Sequence, residues 1–211
     1  MRLDVPLVFC LLLNFFMLGS SRIRSVVLCV AGQGLLLGLL LVLAHAEIDG
    51  RALLLGTAAT LLKGFLIPGM LLRALRDVGI RREVEPLVGF VASLLLVGAA
   101  TAAAVLFANT LPLAPQHAGS LLVPASLATV ATGFLLITTR RKAITQVVGY
   151  LTLENGVFVF GLALVDAMPT LVEVGVLLDV VVGIFVMGIL INHIQREFSS
   201  IDTEKLSTLK D

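Results

Sequence analysis

Apolar residues run along this chain in long stretches, and most polar residues collect in short intervals between them. The stretches cover about residues 4–20, 25–46, 52–72, 87–109, 119–139, 143–165 and 171–194. Each is close to the roughly 20 residues that a helix needs to cross a bilayer. Their continuity excludes a membrane barrel, whose strands alternate. Only helices and closed barrels satisfy their backbone within lipid. The pattern predicts an all-α integral membrane protein of about seven transmembrane helices.

Basic residues give these helices a direction. After the first span come Arg22 and Arg24, after the third Arg73, Arg76, Arg81 and Arg82, after the fifth Arg140, Arg141 and Lys142, and after the seventh Arg196, Lys205 and Lys210. The opposite side has only Arg2 and Arg51, while Lys63 lies inside the third span. Basic residues gather on the cytoplasmic side of membrane proteins, so the expected topology is N-out and C-in. Met1–Ser21 also has the makings of a signal peptide, with one Arg, an apolar run and small residues. Cleavage near Ser20 would leave Arg22 and Arg24 outside and invert every later loop, so the charge pattern favours retention.

Composition narrows the classes further. The chain is 58% hydrophobic and only 14% charged, against roughly 25% charged residues in soluble domains; its mean hydropathy is +1.07. No polar stretch is long enough to bury a soluble core. A net charge of +1 offers nothing to nucleic acid. Cys10 and Cys29 fall inside apolar segments and form no zinc or cluster motif; they read as small buried apolar residues. His45, His117 and His193 lie at or beyond span ends and read as interfacial. With no cysteine cluster, haem-ligand pair or nucleotide loop, no cofactor is expected.

The candidate chemistry is the charge placed inside the membrane. Glu154 sits at the centre of the sixth span and Asp179 within the seventh. A charge at the bilayer centre costs roughly 2.5–3.5 kcal/mol on insertion scales, and such residues mark proton and ion pathways. Lys63 lies near the middle of the third span, too deep to snorkel, with Pro68 expected to kink the helix about one turn on. Burial disfavours the charged form of acids and amines alike, which suits groups that exchange protons. Glu154, Asp179 and Lys63 are thus expected to form one relay at mid-membrane depth; the bland reading of Lys63 is a static ion pair with one of the acids. Glu173 lies six residues before Asp179, about 9 Å along a helix, and is either a relay exit or an interfacial residue. Asn14, Gln33 and Asn155 are neutral polar groups within spans, of the kind that hydrogen-bond between helices. Gly149, Gly156, Gly183 and Gly188 are expected to let helices approach closely.

An internal repeat also emerges. Arg22-Ile-Arg24, a span with Gln33-Gly34 and a span with Lys63-Gly64 mirror Arg140-Arg-Lys142, a span with Asn155-Gly156 and a span with Asp179. Spans 1–3 and 5–7 would be parallel copies joined by span 4. The expected organisation is an N-terminal four-helix membrane region (1–118), a three-helix membrane region (119–194) and a cytoplasmic tail (195–211).

At these residues the chain resembles a known family. Arg140-Arg141-Lys142, Gly149-Tyr-Leu-Thr-Leu-Glu154-Asn155, the acid Asp179 four residues before Gly183, and Asn192-His-Ile-Gln-Arg196 with Ser200-Ile-Asp202 look like the small K-type subunit of respiratory complex I. That resemblance covers about residues 119–204 and implies a three-helix unit with its principal buried acid at Glu154 and its second at Asp179. The longer seven-span form, with Leu153-Glu-Asn-Gly156 and the ending Ile201-Asp-Thr to Leu206-Ser-Thr-Leu-Lys-Asp211, looks like component E of hydrogenase-4. The resemblance implies a cofactor-free membrane subunit of a hydrogenase or formate hydrogenlyase complex in a prokaryotic cell (inner) membrane. Its expected partners are the lipid bilayer and other membrane subunits, antiporter-like ones included, and it would not be an enzyme on its own. Two departures stand out: the second acid is Asp, one methylene shorter, and the N-terminal half has Lys63 where a K-type unit has an acid. The alternative is the C subunit of a multi-subunit sodium/proton antiporter, which has the K-type fold but normally only three spans. A third reading is a scaffold whose acids are ion-paired.

Overall fold

The structure, a computed structural model, describes residues 3–44, 50–78, 87–111 and 119–164 and the single positions Val174, Gly175, Val181 and Gly188. In order, the elements are α1 (Asp4–Gly19), α2 (Ile23–Ala44), α3 (Gly50–Ala59), a π-helical segment (Thr60–Leu66), α4 (Ile67–Val78), α5 (Phe90–Ala108), α6 (Leu122–Thr139) and α7 (Ala143–Leu162). No strand occurs among the described residues. Because α3, the π segment and α4 form one continuous rod, six rods coincide with the first six expected segments to within a few residues. Most of the seventh, 171–194, lies outside the described residues, as do the three histidines.

Among the described residues, four helices are long and apolar enough to cross a membrane: Ile23–Ala44, Gly56–Arg76, Phe90–Ala108 and Leu122–Thr139. The 16 residues of α1 are equally apolar but shorter, about 24 Å at 1.5 Å per residue. With 20 residues, α7 is long enough, but Gln146, Glu154 and Asn155 interrupt its apolar run.

The rods meet through glycine. Gly34 and Gly38 form a small-xxx-small pair on α2, facing Gly56, Thr60 and Gly64 across an antiparallel contact. A Cβ on Gly34 would strike the carbonyl of Lys63 and come within 2.7 Å of the Gly64 nitrogen; one on Gly38 would strike the Thr60 hydroxyl. The α6–α7 hairpin closes the same way. A Cβ on Gly149 would come within 2.9 Å of the Ile137 nitrogen, and one on Gly156 within 2.6 Å of the Val130 nitrogen. Gly133 meets the backbone of Leu153 at similar range. Such contacts replace the hydrophobic drive that lipid removes. Gly149 and Gly156 therefore act as expected, while Gly183 and the residues flanking Gly188 lie outside the described residues.

A π segment stands immediately before the turn that carries Pro68. In an α-helix the Pro68 ring would press on the carbonyl of Gly64, four residues back. The chain takes a wider turn instead, and Ile67 N–H bonds to the carbonyl of Leu62, five residues back. Lys63 lies in that turn. Short π segments occur often at functional sites.

Candidate functional site

Two apolar clusters fill the bundle, and a polar layer separates them. One cluster includes Met17, Val30, Ile67, Leu136 and Leu151; the other includes Cys10, Leu37, Ala59, Ala125 and Phe158. On every helix that joins both clusters, a polar residue lies between the two sets in sequence. These are Asn14 on α1, Gln33 on α2, Lys63 in the π segment, Thr129 on α6, and Glu154 with Asn155 on α7. Each lies no more than three residues from the midpoint of its helix or span, about 4.5 Å along the axis. All six are buried: Lys63 is 6% exposed, Glu154 8%, Asn155 3% and Asn14 fully enclosed.

Side-chain hydrogen bonds run through this layer in one direction. The Lys63 ammonium donates to Asn155 Oδ1 at 3.5 Å. The Asn155 amide donates to Gln33 Oε1 at 3.4 Å. Gln33 Nε2 donates to Asn14 Oδ1 at 2.8 Å and, at 3.4 Å, to the Cys10 carbonyl. Asn14 Nδ2 donates to the Thr129 hydroxyl at 2.9 Å, and that hydroxyl donates to the Ala125 carbonyl at 2.7 Å. Five rods contribute one link each. The order follows from donor inventory: an ammonium only donates, so Asn155 must turn its oxygen toward it, and each later amide is oriented in turn.

The cation has a second support on α7. Lys63 Nζ lies 5.3 Å from the centroid of the Phe158 ring, within the range of a cation–π contact. Phe158 is four residues after Glu154, and that spacing puts the two on one helix face. Neither Lys63 nor Glu154 is isolated. The structure thus places Lys63 against the turn of α7 that carries Glu154. Asp179 and Glu173 lie outside the described residues.

Asn14, Gln33 and Asn155 hydrogen-bond between helices as their placement within spans predicts, whereas nothing in the sequence alone singles out Thr129 or Phe158. The available signal was positional: one buried polar group near the middle of each of five spans.

Arg140 follows α6 directly, as the sequence places it, but it is not a solvated charge. It is 2% exposed. Its Nη2 donates to the Leu18 carbonyl at the end of α1 at 2.9 Å, and its guanidinium lies 5.1 Å from the Phe90 ring on α5. Leu87 N–H bonds to the Thr139 carbonyl beside it at 3.0 Å. Arg140 therefore ties the ends of α1, α5 and α6 together. A cation suits the C-terminal end of α1, where carbonyls lack partners.

Comparison with known proteins bears on what this layer serves. The chain is 34% identical over 193 residues to the uncharacterized protein Rv0085 of Mycobacterium tuberculosis, a match spanning 90% of this chain and 87% of that protein. The chain belongs to the family of Rv0085. It is also 33% identical over 78 residues to hydrogenase-4 component E of Escherichia coli K12 and of Shigella flexneri. That match spans 37% of this chain and 36% of the component E sequence. No family model matches the chain, and no solved structure does.

Proposed function

We propose that this chain is a membrane-arm subunit of a complex-I-related hydrogenase of the hydrogenase-4 type. In this reading it carries no active site of its own. It passes protons along a mid-membrane relay of Glu154 and Lys63, continued by Asp179 and Glu173. The observation that carries the proposal is the burial of an acid and a lysine in one polar layer, on rods that touch through Asn155 and Phe158. The 78-residue likeness to hydrogenase-4 component E supplies the kind of complex. Glu154, four residues from the ring that supports Lys63, is the central proton carrier; Lys63 is its mobile counter-charge. The chain spans the prokaryotic inner membrane seven times, N-out and C-in, with a K-type unit at 119–194, a degenerate copy within 1–118, and a cytoplasmic tail at 195–211. Bonds between equivalent helices support the repeat: Asn14 on α1 meets Thr129 on α6, and Gln33 on α2 meets Asn155 on α7.

Purification from native membranes in mild detergent tests the assignment. Nickel–iron and iron–sulfur hydrogenase subunits together with antiporter-like membrane subunits should co-purify. Recovery with antiporter subunits alone would replace the proposal with the sodium/proton antiporter reading. For topology, a reporter active only in the cytoplasm should give signal when fused after Asp211 and none when fused between Leu111 and Gly119.

A further inference from the structure

The amide chain goes beyond the relay residues and assigns work to groups that transfer no proton. We infer that Asn155, Gln33 and Asn14, anchored on Thr129, are positioning residues that hold the Lys63 ammonium against Phe158 on the Glu154 turn of α7. The inference rests on the relay reading above.

Three observations carry it. First, the chain has a polarity: from Lys63 to the Ala125 carbonyl, every link donates away from the lysine. One ammonium at one end orients them all, and aligned bonds in a low-dielectric interior reinforce one another. Second, the chain is graded. The links through Asn14 are 2.8 and 2.9 Å, whereas those through Asn155 are 3.4 and 3.5 Å. The shortest links anchor the chain on α1 and α6, and the longer ones carry it across to α7 and the lysine. Third, the lysine backbone is fixed independently: Gly34 of α2 abuts the Lys63 carbonyl, and the π segment sets the direction in which the side chain leaves the rod.

Gln33, in the middle of the chain, is the residue to vary. Gln33→Met keeps length and volume but neither accepts from Asn155 nor donates to Asn14. Gln33→Glu, when protonated, can do both. Thr129→Val removes the last acceptor and keeps the shape. Each variant is measured in native membranes for the amount of intact complex and for protons moved per turnover of the assembled enzyme. The expected result is near-normal assembly of Gln33→Met with coupling reduced about tenfold, the scale of a small misplacement of a reacting group. Thr129→Val should lose less, about two- to threefold, because it lies farthest from the cation. Gln33→Glu, which in its acid form accepts from Asn155 and donates to Asn14, should regain at least half of the coupling. Equal coupling per assembled complex in Gln33→Met and Gln33→Glu would overturn the inference, because a scaffold does not distinguish them. So would failure of all three variants to assemble, since the chain would then be holding helices and not the lysine. Lys63→Met and Glu154→Gln in the same membranes tell the two levels apart. If these keep full coupling, the relay reading fails; if they lose it while Gln33→Met and Thr129→Val keep it, only the positioning role fails.

Discussion

The two glycine-closed hairpins, α2 with the α3–π–α4 rod and α6 with α7, solve the same packing problem differently. Both are antiparallel, and both bring backbone onto backbone at mid-depth. Both present a charged residue beside the closest approach: Gly34 abuts Lys63 itself, and Gly133 abuts Leu153, next to Glu154. In the second hairpin the helices keep regular α geometry throughout. The first breaks it for seven residues, from Thr60 to Leu66. The acid therefore stands on the regular element and the cation on the distorted one, with the longest hydrogen bond of the polar chain at its tip. In the proposed relay, the acid stands on the regular helix and the lysine on the π segment.

The strongest way to break this comparison is to remove the lysine. Lys63→Met should reduce proton-coupled turnover by about 10²-fold or more, the range of a lost proton-transfer group. If Lys63 and Asp179 were only a static pair, losing one partner would strand a charge at about 3–5 kcal/mol, and losing both would be nearly neutral. Lys63→Met combined with Asp179→Leu should therefore restore the amount of intact complex but not coupling. A double variant normal in both would reduce the pair to a structural clamp.

Packing changes come next. Gly34→Val would drive a side chain into the Lys63 carbonyl and the Gly64 nitrogen, where backbone cannot yield. Overpacking of this kind costs about 3 kcal/mol, and thermal unfolding in detergent should show it together with a loss of coupling. Arg140→Ala removes the bond to Leu18 and the contact with Phe90. A hydrogen bond from a charged group contributes about 1.5–3 kcal/mol, so stability should fall by that amount with coupling per assembled complex unchanged. The smallest effect is expected at Gly69, which is exposed on α4 with nothing within 4 Å of a built Cβ. Gly69→Ala should stabilise by about 0.5–1 kcal/mol through helix propensity alone.

Much of this architecture was legible in the chain itself. Continuous apolar runs located the first six rods because lipid forces every spanning segment to be helical. The charges inside spans flagged Lys63 and Glu154 because burying charge is costly. Three features were not legible. The π segment depends on Pro68 acting against Gly64 inside a rod already pressed on Gly34, and periodicity registers no such wide turn. Arg140 belongs to a basic cluster by sequence, and only the folded bundle brings the end of α1 and the Phe90 ring to it. The amide chain joins residues up to 122 positions apart; each polar residue could be seen alone, but their order and direction arise only when five rods meet.

The central claim is that Glu154 carries protons within this layer, and Glu154→Gln tests it most directly. The amide keeps the shape and cannot pass the proton. Intact complex should reach wild-type levels in the membrane, while protons moved per turnover fall by about 10²-fold or more. Normal proton movement at normal assembly would contradict the account, and failure of the complex to assemble would make Glu154 a structural residue.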